Sequence, residues 1–240
     1  MAQNLSSIRE DFSFLKKKIN DRPVIYFDNA CMSLKPLCVI NKINEYYYEY
    51  PACGGRSNHR FAKGVTEEFE NSRDIAKKFF NARDSEEIVF TRNTTEGINL
   101  IANSLDFKEG GAVITTNKEH NSNLVPWQRI AIEKKIRHKI VRFDENNENF
   151  LEEFENSMSK DVKLVSMAHT FNLDGTSIPA KEIIKISHEH GALVMLDAAQ
   201  SAPHNDIDVK NLDVDFLARS GHKMLGPTGT GILYGKYWLL

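Results

Sequence analysis

Two short stretches bring together a lysine amine, a carboxylate, an amide and an imidazole: Leu196-Asp197-Ala198-Ala199-Gln200 and Ser220-Gly221-His222-Lys223. A lysine amine condenses with an aldehyde to a Schiff base, and a carboxylate shielded from water can keep a ring nitrogen protonated. Together they could hold an aromatic aldehyde cofactor. A lone lysine after an apolar strand is more often a surface residue. Here Ser220 and His222 flank Lys223, and Gly226-Pro227-Thr228-Gly229-Thr230-Gly231 follows, a turn that lets backbone approach a bulky ligand. Asp197 ends the apolar run Ala192-Leu193-Val194-Met195-Leu196, so its carboxylate is expected to be withdrawn from water. It then needs a cationic partner, or it caps the turn that follows.

Other polar groups have weaker claims. Thr94-Thr95-Glu96-Gly97-Ile98-Asn99 follows a strand-like run and opens a helix. Such N–H groups and hydroxyls suit a phosphate, and equally an ordinary helix cap. His120, in Glu119-His120-Asn121-Ser122-Asn123, could stack on a flat ring, although a single histidine more often plays a structural part. Gln200 could donate to a ring oxygen.

The elements that must position these groups alternate. Strands are expected at Glu87–Thr91, Ala112–Thr116, Lys139–Phe143, Lys163–Ala168, Ala192–Asp197, Val214–Ala218 and Gly231–Tyr234. Helices are expected at Gly64–Phe80, Thr95–Ser104, Asn123–Arg137 and Ala180–Glu189. The alternation argues for an α/β layered domain, and continuous apolar strands for a sheet covered on both faces. In such sheets ligands sit beyond the carboxyl ends of the strands, where Thr94, Thr95, His120, His169–Asn172, Asp197, Gln200, Ser220 and Lys223 all fall. Before them, Pro36–Tyr50 reads as an amphipathic helix and Cys53–His59 as a loop. The simplest partition is a small N-terminal arm over 1–60 leading into one large domain over 61–240.

A net charge of −2 gives no reason to expect nucleic acid or an anionic membrane as partner, and no apolar run approaches spanning length. Lys16–Lys18 and Lys134-Lys135 read as solvated helix faces, and His188 and His190 as cations near a helix C-terminus. Three cysteines, Cys31, Cys38 and Cys53, lack metal-type spacing, so no metal site is assigned and a reducing, cytoplasmic setting is the default. Each reads as a small semi-buried apolar residue.

Taken together, the motifs resemble the class V aminotransferase family of pyridoxal-phosphate enzymes, with group II cysteine desulfurases and selenocysteine lyases the nearest in look. The resemblance runs from Tyr26-Phe27-Asp28-Asn29-Ala30 through Thr94–Asn99, Glu119–Trp127 and Asn172-Leu173-Asp174-Gly175-Thr176 to the Asp197 and Lys223 stretches. It implies a fold-type I large domain, a mostly parallel seven-stranded sheet flanked by helices, usually in a homodimer. It implies pyridoxal 5'-phosphate as cofactor, with Lys223 forming the Schiff base and then moving protons. Asp197 would pair with the ring nitrogen, Gln200 contact the ring oxygen and His120 stack on the ring. Thr94, Thr95, Ser220 and His222 would bind phosphate, and Asn172 would lie near cofactor and substrate. Asn29, Arg56 and His59 would face the substrate, so that the arm over 1–60 carries a substrate-entrance segment and the large domain over 61–240 the cofactor.

The chain departs from that family in places. The small C-terminal domain, its carboxylate-gripping arginine and its cysteine-bearing loop have no counterpart up to Leu240. None of the three cysteines matches that loop, so none is assigned as nucleophile. Gly55 stands where relatives carry a histidine, and Cys31-Met32 where small residues and threonine are common. The resemblance implies conversion of L-cysteine to L-alanine, with sulfur passed to an acceptor protein for iron–sulfur or thio-cofactor synthesis. Alternatives are another class V lyase or aminotransferase, or a non-catalytic cofactor-binding subunit that needs a partner.

Overall fold

The computed structural model describes residues 5–144 and 149–240, so the first four residues of the arm lie outside it. Seven strands form one sheet: β1 (Ile88–Thr91), β2 (Ala112–Thr116), β3 (Arg137–Val141), β4 (Val162–Ala168), β5 (Leu193–Asp197), β6 (Phe216–Ser220) and β7 (Gly231–Gly235). Their order is β1-β7-β6-β5-β4-β2-β3. Strands β3, β2, β4, β5 and β6 pair in parallel, and β7 runs antiparallel to both β6 and β1. The carboxyl ends of all strands except β7 therefore share one edge, the geometry in which α/β sheets bind ligands. This is the expected mostly parallel α/β sheet.

Alternate side chains along each strand serve opposite faces. Leu164, Met195, Phe216 and Leu233 pack with Ile98, Trp127 and Ile130 on one side. Val165, Leu196 and Leu217 pack with Phe80, Phe154 and Ile183 on the other. Because both faces are dry, the strands read as unbroken apolar runs. At the ligand edge β7 passes so close to β1 that a Cβ on Gly231 would lie 2.7 Å from Asn93 Cα and 2.8 Å from Arg219 O. Only glycine fits there.

The helices fall close to expectation, with informative differences. The helix Thr94–Ser104 starts on Asn93, whose side chain accepts from the Glu96 N–H at 2.9 Å. The long helix begins at Arg60, four residues earlier than its apolar pattern suggests, with His59 as its cap. The helix expected to run to Arg137 stops at Glu133. Lys135 takes a left-handed φ of 53°, and β3 starts at Arg137, two residues ahead of expectation. The helix Phe150–Ser157 was not anticipated. Lys16 ends a 3-10 turn, Lys17 is extended, and Lys18 opens a two-residue strand, so the cluster is not a helix face. All three cysteines are exposed, a correction explained by the thin packing of the N-terminal arm: the helix Leu37–Glu49 buries no residue. No helix among the described residues is long and apolar enough to cross a membrane.

His188 does more than decorate a helix end. Buried Asp215 accepts from His188 Nε2, the Val194 N–H and Lys236 Nζ, each at 2.8 Å, and so ties the helix Ala180–Glu189 to β5 and to the residue after β7. The Asp215 hydrogen bond holds His188 above the usual imidazole range. Burial pushes the Asp215 carboxyl up, but its three donors outweigh burial and hold it below the usual carboxylate range. The carboxylate's contribution is present above about pH 4 and is lost as pH falls through its folded value. That of His188 is full below about pH 6.5 and is lost as pH rises through its folded value. Asp215→Asn is thus expected to cost about 2–3 kcal/mol, most of all between about pH 4 and 6.5. Urea denaturation across that range checks this, and a deficit near zero throughout refutes it.

Candidate functional site

The strand ends converge on one cavity of about 490 Å³. Its floor is made by β5 and β6. Asp197, the last residue of β5, is only 5% exposed. Its Oδ1 accepts from the Ala199 N–H at 2.9 Å, and among the described residues its other oxygen takes no hydrogen bond and no cation lies within ion-pairing distance. Burial raises its carboxyl above the usual range, against the Ala199 hydrogen bond and the charges of Lys223 and His120. Lys223 sits on the 3-10 turn Gly221–Lys223 directly after β6 and lines the same cavity. Its Nζ makes no hydrogen bond or ion pair among the described residues. A buried carboxylate and an uncommitted amine thus share one hollow without touching.

One wall is rich in hydroxyls. The Thr94 N–H and Oγ1 meet Ser220 Oγ at 2.9 and 2.7 Å, joining the start of a helix to the end of β6. Thr95 Oγ1 donates to Ser122 Oγ at 2.7 Å, and Ser122 Oγ lies 2.9 Å from His120 Nδ1. His120 also caps the helix Asn121–Glu133, accepting from the Ser122 N–H at 3.1 Å. The imidazole is fixed by one ring nitrogen while lining the cavity. His222 and Asn172 line it too, and Gln200 does so while donating to Ala30 O at 2.8 Å.

Every residue expected to bind the cofactor is therefore brought to this cavity. The three expected to face the substrate are not. Asn29 lines a separate apolar groove with Tyr26 and Phe27, Arg56 lies in an exposed turn, and His59 spends its Nδ1 on the Ala62 N–H. Conversely, Ser122 and Ala30 line the cavity although sequence reasoning gave them no part, and so does Cys31, read only as a semi-buried residue near the substrate entrance. Ala30 and Cys31 arrive there because the arm folds back, which no spacing discloses, and Ser122 because it opens the helix that His120 caps. Behind His120, the Glu119 carboxylate accepts from Thr116 Oγ1 (2.6 Å), Asn123 Nδ2 (2.7 Å) and the Ala168 N–H (2.9 Å), tying β2 to β4. Burial pushes it up to about 7 against those hydrogen bonds, with the charge of Asp197 adding to the rise.

These donors fit a phosphorylated pyridine aldehyde. The unpaired Asp197 oxygen suits a pyridinium N–H, the free Lys223 amine suits the aldehyde carbon, and the hydroxyls at a helix start suit the phosphate.

The class V aminotransferase family model matches residues 25–240. A probable cysteine desulfurase of Synechocystis sp. is 44% identical over 98% of this chain and 57% of its own length. Among solved structures, the apo cysteine desulfurase of Thermococcus onnurineus NA1 superposes with a TM-score of 0.90 at 39% identity, over 98% of this chain and 58% of its own. A C-DES variant with glycine covalently linked to its PLP cofactor gives 0.85 at 25% identity, over 95% and 59%. The chain thus spans under three fifths of the length of each of these proteins.

Proposed function

The chain belongs to the class V aminotransferase family, and from that premise we propose that it works as a pyridoxal-phosphate-dependent cysteine desulfurase. It takes L-cysteine to L-alanine and passes the sulfur to an acceptor protein, as a homodimer in the cytoplasm. The observation that carries this reading is the unpaired, buried Asp197 carboxylate sharing a cavity with the uncommitted Lys223 amine.

Pyridoxal phosphate, when bound, supplies an aldehyde that captures amino groups and a protonated ring that withdraws electrons. Asp197 accepts the ring N–H and keeps that proton in place. Lys223 would offer its uncommitted amine to the cofactor's aldehyde and act as the base that moves a proton at the substrate Cα. His120, fixed through Nδ1 by Ser122, would cover the ring face. Thr94, Thr95, Ser220 and His222 hold the phosphate at the start of the helix Thr94–Ser104, where the helix dipole favours an anion. Gln200, whose amide donates to Ala30 O, would have a second N–H to offer the ring oxygen, and Asn172 would lie near cofactor and substrate.

The test is turnover of the cofactor-loaded chain. L-cysteine should yield alanine and sulfane sulfur in equal amounts. Turnover of other amino acids with no release of sulfur would replace this reading with another class V lyase or aminotransferase activity.

A further inference from the structure

His120 lines the cavity from the short loop between β2 and the helix Asn121–Glu133, yet its place is set by three elements at once. The hub is its neighbour Glu119. One carboxylate oxygen accepts from Thr116 Oγ1 at 2.6 Å, at the end of β2. The other accepts from Asn123 Nδ2 at 2.7 Å and from the Ala168 N–H at 2.9 Å, at the end of β4. Asn123 closes the network, because its N–H also donates to His120 O at 2.8 Å. It thus holds Glu119 by its side chain and His120 by its backbone. Asn123 is itself fully buried, and its Oδ1 accepts from Ser166 Oγ of β4 at 2.6 Å and from Trp127 Nε1 at 3.0 Å. Ala168 lines the same cavity as His120 and stands opposite Asp197 in the β4–β5 register. One carboxylate therefore ties the segment that carries the imidazole to the strand end beside the ring-binding acid.

Burial makes this carboxyl a costly brace. Deeper in the sheet, β2 and β4 are joined by apolar neighbours such as Ile114 and Val165, which need no polar tie. Hydrogen bonds add what apolar contact lacks, a fixed direction and distance, and here they do so where the core gives way to the cavity. We propose that Glu119 is a positioning residue for the cofactor ring: it fixes how far His120 stands from Ala168, and so how a flat ring is seated against the imidazole and the end of β4. The inference rests on the cofactor-binding part of the desulfurase reading and adds to it a residue that touches neither cofactor nor substrate. Its role is carried by acceptor oxygens rather than by charge. Glutamine in its place keeps an oxygen for Ala168 and Asn123 and turns its amide N–H to Thr116 Oγ1, which can accept. Alanine keeps neither, and leaves the Ala168 N–H and the Asn123 amide unanswered.

The experiment compares the full chain with Glu119→Ala, Glu119→Gln and Thr116→Val, each loaded with pyridoxal phosphate. Circular dichroism in the cofactor's own absorption band reads the seating of the ring, and equilibrium dialysis reads its affinity. Misplacement by about 1 Å can cost about 100-fold in rate, so Glu119→Ala should lose about half of that band per bound cofactor, bind the cofactor at least about tenfold more weakly, and form alanine about 10–100-fold more slowly with KM for L-cysteine nearly unchanged. Glu119→Gln should restore all three. Thr116→Val removes the shortest of the bonds to Glu119, so it should shift the band in the same direction by less, and it carries the test if Glu119→Ala folds too poorly to load. A band and an affinity unchanged in these variants would make the network a brace only, overturning the inference while the desulfurase reading stands. Glutamine as defective as alanine would assign the effect to charge and overturn it as well. A wild-type chain that takes up no cofactor sinks inference and reading together.

Discussion

Lys223→Ala is expected to fold normally and to lose turnover by about 10²–10⁴-fold, the range attributed to a positioned proton-transfer group. Normal folding follows from what Lys223 does not touch. Its Nζ has no hydrogen-bond or ion-pair partner among the described residues, so its removal orphans nothing buried, and a partly exposed site without such ties changes stability by less than about 0.5 kcal/mol. The backbone of the turn stays held by the Gly221 N–H to Thr230 O and by the Ser33 bonds to His222 O. What must disappear is covalent retention. After borohydride treatment, wild-type chain should carry pyridoxal phosphate on the Lys223 peptide, whereas the variant should release it on denaturation. The variant should still bind the cofactor reversibly, because Asp197 and the Thr94–Ser220 wall remain. Cofactor found bound covalently to the variant would show that another lysine makes the link, such as Lys35, whose Nζ donates to the cavity-lining His222 at its backbone O at 2.8 Å.

The parts of this molecule that could be read from its sequence are those fixed locally. Asp197 was legible because an acid closing the run Leu193–Leu196 has few ways to be satisfied, and the fold leaves it only the Ala199 N–H. The central strands were legible because both their faces are buried. The helix ending at Glu133 was misjudged since its stop is Lys135 in a left-handed conformation, a role composition assigns to glycine or asparagine. Phe150–Ser157 escaped notice as a short, charged helix held by two buried phenylalanines, Phe150 and Phe154. The parts that resisted are set by long-range contact. Cys31 reaches the cavity through bonds from Gln200 to Ala30 and from Ser33 to His222, across intervals that no periodicity spans. Arg56 and His59 fall elsewhere for the same reason: the arm's path is decided by what it lands on.

Asp197→Asn should make the cofactor-free chain more stable and the loaded chain worse. The buried carboxyl has a folded-state pKa above the unfolded value near 4, chiefly through burial. The unfolded chain therefore ionises more readily, and stability falls as pH rises from about 4 through the folded value. Asparagine keeps the shape and an acceptor for the Ala199 N–H but carries no charge, so the penalty vanishes. At pH 8 the gain should be about 1–3 kcal/mol without cofactor, shrinking toward zero below pH 4. With pyridoxal phosphate present the order reverses. Only the carboxylate answers the ring N–H with an opposite charge, so the wild type should gain more from the cofactor than the variant does. Turnover in the variant should fall by about 10²–10³-fold, the loss seen when one aimed electrostatic partner is removed. Urea denaturation at pH 5 and pH 8, with and without cofactor, gives four comparisons. A carboxylate kept merely to cap the turn at Ala199 would show no reversal on loading. A carboxylate kept for a cation that arrives from solution must show one, because its instability in the empty chain is the same unpaired oxygen that binds the ring.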